Sequence, residues 1–442
     1  MPDLALVTGS LAKSADGASA SSAKLEKHTG WLKCSAEPQD SHYIIRSRSN
    51  PDGKYFDMDF GFDAEGRKVR STNGNILPDP MHPNRYFMVA HHTGYMNGSV
   101  FREVYCEAEF KGHDLVCIAE AKALSVGPTD SNKCKSYGWM NYYKGPHDAR
   151  VSWSPTTPYI VYGTQSQFCC FGQYIHDLRA LMPIREAEPQ LLEDFAIATE
   201  LQRPAPWGEF EKNWFLFYVD DQKFVHHDVY PKRSFAKLEA DGSVGEQLSG
   251  DLRDEACISK LMPELVQSPG SPEHASIHQS TNSLSVTLCN RGECTPSKDN
   301  TVILTIFQLK ELRYYHPTYE PYVMLIQQQA PYRIHGIAKL PFWVHGRGRE
   351  PFPEWKGEDP SEFTQMFYIV SVSWKSRTQR YQGFLDDELF VSFGIEDNYT
   401  ASIDVRAHDL VQCIGLCSDI SVGQADETLA QTTPLPVLEP IV

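Results

Sequence analysis

Short apolar and aromatic runs, separated by polar turn residues, recur along most of the 442-residue chain. Segments rich in Val, Ile, Tyr, Phe and Trp occupy 86–91, 107–120 (broken by Gly112), 159–162, 214–219, 224–229, 302–308, 322–327, 366–374 and 389–394. Such length and composition, bounded by turn formers, predict β-strands. The run 215–219, the polar turn 220–223 and the run 224–227 read as strand, turn, strand; 381–385, 386–388 and 389–393 repeat that form. Helical spacing of apolar residues is confined to 186–199, among prolines. Serial hairpins with few helices predict an all-β propeller or sandwich. No sequence repeat of fixed period supplies a blade number.

The first residues, 1–28, are dominated by Ala, Ser, Gly and Lys and read as a disordered leader, and 421–442 reads as a flexible tail. Between them, 29–420 reads as one catalytic domain, with a polar insertion at 238–281 expected as a surface excursion or lid.

Hydrophobic residues make up 41% of the chain and aromatic ones 12%, enough for one large core. The net charge of -16, with no basic run, argues against a nucleic-acid partner. No apolar stretch approaches the length of a membrane span, and the N-terminus lacks the order of a signal peptide. Eleven cysteines match no zinc pattern; Cys289 and Cys294 bracket a turn-like tetrapeptide that brings two strand ends to disulfide distance. Asn97-Gly98-Ser99 and Asn398-Tyr399-Thr400 are glycosylation sequons, which lean towards a secretory lumen, while the missing signal leaves the cytoplasm open.

Four places put polar residues at strand ends, the mouth of the pocket in a propeller. In Gly145-Pro146-His147-Asp148-Ala149-Arg150 a carboxylate sits beside a guanidinium on a rigid turn, which suits a general acid or base and equally suits a pair that pins the turn. Glu211-Lys212-Asn213-Trp214 opens a strand and His226-His227-Asp228 closes its hairpin: Lys212 and His226 can neutralise a phosphate, Asn213 can bind substrate, and Trp214 can stack on a sugar or pack in the core. Adjacent strand residues face opposite ways, so His226 and His227 do not form a metal site. Tyr319-Glu320 with His345-Gly346-Arg347-Gly348-Arg349 can approach an anion, or form a flexible basic loop. Glu396-Asp397, after the 389–393 strand, can accept hydrogen bonds from sugar hydroxyls. Asp57-Met58-Asp59 fits a metal-nucleotide pattern without its usual α/β setting, no glycine-rich phosphate loop opens a helix, and no nucleophile elbow appears. Neither a metal nor a cofactor is expected.

At these residues the chain resembles the fungal β-1,2-mannosyltransferases, glycosyltransferase family 91. The resemblance rests on Gly145 to Arg150, the run 158–162, Glu211 to Trp214, 300–308, Tyr319-Glu320-Pro321, and 383–388 through 392–397, and covers about 86–405. More distantly, the same order is similar to the five-bladed propeller β-mannoside phosphorylases of glycoside hydrolase family 130. The resemblance implies a five-bladed β-propeller with inserted loops and an inverting enzyme that moves mannose from GDP-mannose to a mannoside acceptor of cell-wall glycan, forming a β-1,2 linkage. It implies Asp148 as the proton-transfer residue, Asp397 as a contact to the mannosyl ring, and Arg150, Lys212, His226 and Arg347 at the phosphates. It also implies Golgi residence. His147 stands where the pattern has Glu. The alternatives are a β-mannoside phosphorylase or hydrolase using the same pocket, and a non-catalytic glycan-binding propeller.

Overall fold

The computed structural model describes residues 42–93, 100–127, 129–185, 194–250, 252–262, 276–313, 316–348 and 364–420. The leader, the tail, Asn97, Arg349 and residues 186–193 of the expected helix lie outside the described residues.

Five antiparallel β-meanders are arranged as the blades of a five-bladed β-propeller. Blade 1 runs Ser71–Pro78, Tyr86–His92, Glu103–Lys111 and Asp114–Cys117; blade 2 runs His147–Trp153, Pro158–Gln165, Phe171–Asp177 and Thr199–Glu200. Blade 3 is Phe215–Val219, Gln222–Asp228, Ser234–Lys237 and Leu248–Ser249. Blade 4 is Leu284–Thr287, Thr301–Arg313, His316–Gln327, Ile334–Ala338 and Ile414–Leu416, and blade 5 is Phe367–Trp374, Glu388–Ile395 and Tyr399–Arg406. The strand Phe56–Asp59 lies antiparallel to Tyr399–Arg406 of blade 5 and parallel to Asp114–Cys117 of blade 1, so it clasps the last blade to the first.

The run Pro158–Gln165 explains why these strands are continuous rather than alternating in hydrophobicity. Successive side chains point to opposite faces. Ile160 and Tyr162 pack on Leu77, Phe87 and Val89 of blade 1, while Tyr159 and Val161 pack on Leu216, Tyr218 and Val225 of blade 3. Both faces are therefore buried, each aliphatic or aromatic side chain contributing about 1.5–3 kcal/mol by leaving water.

The innermost strands of blades 1, 2, 3 and 5 are sheet edges with backbone groups that would be costly if left unsatisfied. Side-chain amides and hydroxyls stitch them together. Asn75 donates to the Ala149 carbonyl and accepts from Val151 N–H, both at 2.8 Å, joining blades 1 and 2. Gln173 accepts from Trp214 N–H at 2.7 Å, joining blades 2 and 3. Ser283 donates to the Leu216 carbonyl at 2.6 Å, and Asn282 accepts from Val372 N–H at 3.0 Å, joining blade 4 to blades 3 and 5. Ser373 donates to the Ile76 carbonyl at 2.5 Å and closes the ring.

Two expectations are corrected. Gln382–Phe384 runs parallel to Leu284–Thr287 instead of forming a hairpin with Glu388–Ile395, because Asp387 accepts from Phe384 N–H within a tight turn that sends the chain into a different sheet. Thr199 belongs to an edge strand paired with Ile175, so the helical spacing there is overridden by sheet pairing. The described parts of the stretch 238–281 pack with the blades: the helix Leu252–Leu261 buries Cys257 and Ile258, Cys257 is bonded to Cys417, and Ser276–Gln279 pairs with Thr301–Arg313. Disulfides also join Cys106 to Cys117, Cys134 to Cys170, and Cys289 to Cys294, the last across the turn that its spacing predicts. Among the described residues no helix is long and apolar enough to cross a membrane.

Candidate functional site

The innermost strands run in a common direction, and their starting ends converge on one face. Asp148 begins the blade 2 strand, Asn73 lies early in the blade 1 strand, Lys212 and Asn213 precede the blade 3 strand, Tyr368 is near the start of the blade 5 strand, and Asp397 turns between two strands of blade 5. Asn73, Asp148, Asn213, Glu396 and Asp397 all have left-handed backbones, with φ of 55°, 50°, 67°, 50° and 50°. This conformation costs non-glycine residues on the order of 1 kcal/mol or more each, and it is tolerated best by Asn and Asp. Its concentration at one end of the ring turns polar side chains out of the ladders and towards the axis.

The surface of Asp148 reaches solvent, yet protein groups surround it. Asn73 Nδ2 donates to Asp148 Oδ1 at 2.8 Å. Burial would raise the carboxyl, but the fields of His91, His147, Lys212 and Arg150 outweigh it and hold Asp148 below its ordinary value. Burial drives His147 itself down to about 4. His91 Nδ1 meets the fully buried Glu103 at 3.1 Å, and the carboxylates of Glu103, Asp148 and Asp397 raise the imidazole above its usual value against the effect of burial.

Asp397 contrasts with Asp148. Its turn is open to solvent on one side, but desolvation on the other, with repulsion from Asp148 and Glu396, pushes its carboxyl up to about 6. Two carboxyls with environments that push them apart can take different proton-transfer and binding roles.

Opposite them stand cations. Lys212 is lowered by burial and by Arg150, with Asp148 opposing; Lys310 is lowered by burial and by Lys212, with Asp397 opposing. His278 faces Lys310, Lys212 and Arg150, and desolvation with their repulsion drives it to about 3. Arg150 donates from Nε to the Ser280 carbonyl at 2.5 Å and from its terminal nitrogen to Asn213 Oδ1 at 2.9 Å and Tyr368 Oη at 3.5 Å, which fixes the guanidinium. Tyr319 packs edge-on against Tyr368 at 5.0 Å, with Lys310 Nζ 5.9 Å from its ring.

The structure thus brings together Asp148, Arg150, Lys212, Asn213, Tyr319 and Asp397. Others are placed elsewhere. His226 is fully buried between Phe215 and Phe235 and is hydrogen-bonded to Gln279 and Arg233, so it is a core residue of blade 3 and not a phosphate ligand. Arg347 is 5% exposed, pairs with Glu320 at 3.1 Å and lies 4.5 Å from the Trp343 ring, while Glu320 also bonds His42 at 2.7 Å. Trp214 packs on His227 and Arg203 in the core, without a face for a sugar. Glu396 is occupied by His316 at 3.0 Å and Met366 N–H at 2.8 Å and acts as a brace for Asp397's turn. Asp59 pairs with Lys68 on the clasp strand, and among the described residues no group of three or more His, Cys, Asp or Glu can hold a metal ion.

Sequence reasoning missed Asn73, His91, Glu103, His278, Lys310 and Tyr368. The available signals were the polar runs Ser71-Thr72-Asn73-Gly74-Asn75 and His278-Gln279-Ser280-Thr281-Asn282-Ser283 leading into apolar strands. A cavity of about 850 Å³ lies at the opposite mouth of the ring, lined by Tyr218, Ser285, Arg291, Arg380, Tyr381 and Asp387 among others, and shares none of these site residues.

No protein-family profile and no curated protein matches the sequence. Among solved structures, the chain is similar to an exo-1,5-α-L-arabinanase from a bovine ruminal metagenomic library, at 10% identity and a TM-score of 0.36 over 78% of this chain and 95% of that one. It is similar to an exo-β-1,3-galactanase from Clostridium thermocellum at 7% identity and a TM-score of 0.37, over 80% of this chain and 62% of that one. A GH43 endo-arabinanase from Bacillus licheniformis gives 10% identity and a TM-score of 0.36, over 78% of this chain and 96% of that one.

Proposed function

We propose that the protein is an inverting glycosyltransferase that moves mannose from GDP-mannose to a hydroxyl of a mannoside acceptor and forms a β-1,2 linkage. The observation that carries this reading is Asp148 held below its ordinary value beside Lys212 and a guanidinium, that of Arg150, fixed by Asn213 and Tyr368, with Lys310 next to Lys212, so that the cations repel one another. An anionic phosphoryl leaving group relieves that repulsion, and stabilising it as charge develops is the larger catalytic effect. Asp148, directly or through a substrate hydroxyl, takes the acceptor proton, worth roughly 10²–10⁴-fold. Asp397 accepts hydrogen bonds from the mannosyl ring. The order of motifs around Gly145 to Arg150 and Glu211 to Trp214, similar to the β-1,2-mannosyltransferases, supplies the sugar and the linkage.

The same cations favour a second reading, a β-mannoside phosphorylase in which inorganic phosphate fills the anion position. A hydrolase has no use for that position. The four disulfides between described residues support an oxidising compartment such as the secretory lumen. The test is incubation with GDP-mannose and a short mannoside, followed by chromatography. Elongation with release of GDP supports the transferase; phosphate-dependent release of mannose 1-phosphate from a β-mannoside replaces it with the phosphorylase; binding without turnover replaces both with a glycan-binding propeller.

A further inference from the structure

The five exposed aromatic residues among the described ones are Phe62, Trp139, Tyr142, Phe168 and Tyr399. Three of them, Trp139 at 43%, Tyr142 at 70% and Phe168 at 46% exposure, belong to two neighbouring segments on the face that carries Asp148: the approach to blade 2 and the turn between its second and third strands.

These segments are held firmly. Cys134 and Cys170 join them covalently. Gln165 Nε2 donates to the carbonyls of Met140, Asn141 and Tyr143 at 3.1, 2.8 and 3.1 Å, and Asn141 bonds both the N–H and the carbonyl of Cys134. Glu209 accepts from the N–H groups of Lys135 and Ser136, each at 2.9 Å. Large rings exposed on a loop this well bonded lose little freedom when they are covered. Phe168 stacks on Trp207 with centroids 4.8 Å apart and planes within 16°.

The rings also lead inward. Trp139 meets Tyr143 at 5.1 Å, Tyr143 stacks on Phe101 at 5.2 Å, and Phe101 lies 3.9 Å from His147, the neighbour of Asp148. This series of packed rings, edge-on at Trp139 and stacked at Tyr143 and Phe101, backs the exposed aromatic surface up to the neighbour of Asp148, and exposed aromatic rings suit the C–H faces of sugars, whose hydroxyls stay in water.

We infer that Trp139, Tyr142 and Phe168, with Tyr143 and Phe101 behind them, form an acceptor platform that binds the outer sugars of an extended neutral glycan whose terminal hydroxyl lies at Asp148. This rests on the proposed transferase reading and names which substrate it prefers: a long acceptor over a short one. The occupant is the acceptor because the rings behind the platform lead to His147, the neighbour of Asp148.

The test compares the chain with a Trp139→Ala/Tyr142→Ala/Phe168→Ala variant, in the Asp148→Asn background for binding and in the active background for turnover. Titration calorimetry with a mannose disaccharide and with a longer β-1,2-mannose oligomer reads the platform. The expected result is a roughly tenfold or greater preference for the longer oligomer, equivalent to ~1.4 kcal/mol, that disappears in the variant while disaccharide affinity stays. Equal length preference in both proteins overturns the platform, as does a failure of the parent protein to bind either sugar. Turnover with GDP-mannose separates the two proposals. Transfer to both acceptors with no length preference leaves the transferase reading standing and removes the platform; no transfer, with length-dependent binding lost in the variant, removes the transferase and keeps the platform.

Discussion

Asn73 and Asp148, 75 residues apart and in different blades, are joined by a 2.8 Å hydrogen bond from the amide to the carboxylate, and both reach it from left-handed backbones. The amide orients the carboxylate and favours its ionised form. Asn73 is thus a positioning residue for the proposed base.

Asp148→Asn keeps the shape of the side chain and removes the base. Turnover is expected to fall by about 10²–10⁴-fold with the fold retained, as read by initial rates and a thermal melt. Unchanged rates would move proton transfer to another group.

Asn73→Ala is expected to lower kcat by roughly tenfold or more, on the scale of one lost charge-assisted hydrogen bond, with KM little altered. The acid limb of the pH–rate profile should move up, since the carboxylate loses a donor. A purely structural role for Asn73 would lower the melting temperature and leave that limb in place.

Gly394 supports Asn73 from blade 5. A Cβ there would stand 2.4 Å from Asn73 Oδ1 and 2.6 Å from Thr72 Oγ1, closer than real contacts allow. Gly394→Ala is expected to cost about 1–3 kcal/mol of stability and to reduce kcat. In the Asn73→Ala background the kcat effect should largely vanish, because both changes act on the same contact. Additive effects on kcat would mean that Gly394 acts by another route.

Asp397 makes stability depend on pH. Its folded-state value of about 6 exceeds that of an unfolded aspartate, about 3.9. The folded chain therefore holds the proton to higher pH, and this group lowers stability progressively as pH rises from about 4 to about 6, with no further change above. Melts of Asp397→Asn against pH should be flatter across that window, and the variant should be the more stable protein at neutral pH. In the parent protein, kcat/KM should rise through about pH 6 as the carboxylate becomes available to sugar hydroxyls. The variant should lose this limb and show a raised KM.

The blades were readable because the strands declare themselves locally: the run 159–162 is apolar or aromatic on both faces, as a strand between two sheets must be. Asp148 and Asp397 were readable for a related reason, since Asp and Asn in turns mark strand ends. What could not be read was convergence. His91, Glu103, Lys310 and Tyr368 sit inside strands where nothing local separates a site residue from a satisfied core one, and they meet only because five strand starts share an axis. The converse error has the same origin: His226 and Arg347 stand in motifs that look chemical, yet Gln279 and Glu320 occupy them in the interior. The pairing of Gln382–Phe384 with blade 4 likewise depends on a partner a hundred residues away rather than on its neighbours.

The clasp strand Phe56–Asp59 gives the site an unusual dependence on a remote seam. Asp148 belongs to blade 2 and Asp397 to blade 5, so the path between them through the ring runs across blade 1 and the junction that this strand seals. A slip of the seam by one residue would turn Met58 out of its buried position and Asp57 in. It would also change the gap between the two carboxyls without touching either. The spacing of the proposed chemistry is in that sense an outcome of ring closure, set by whether the early and late parts of the chain find each other in register.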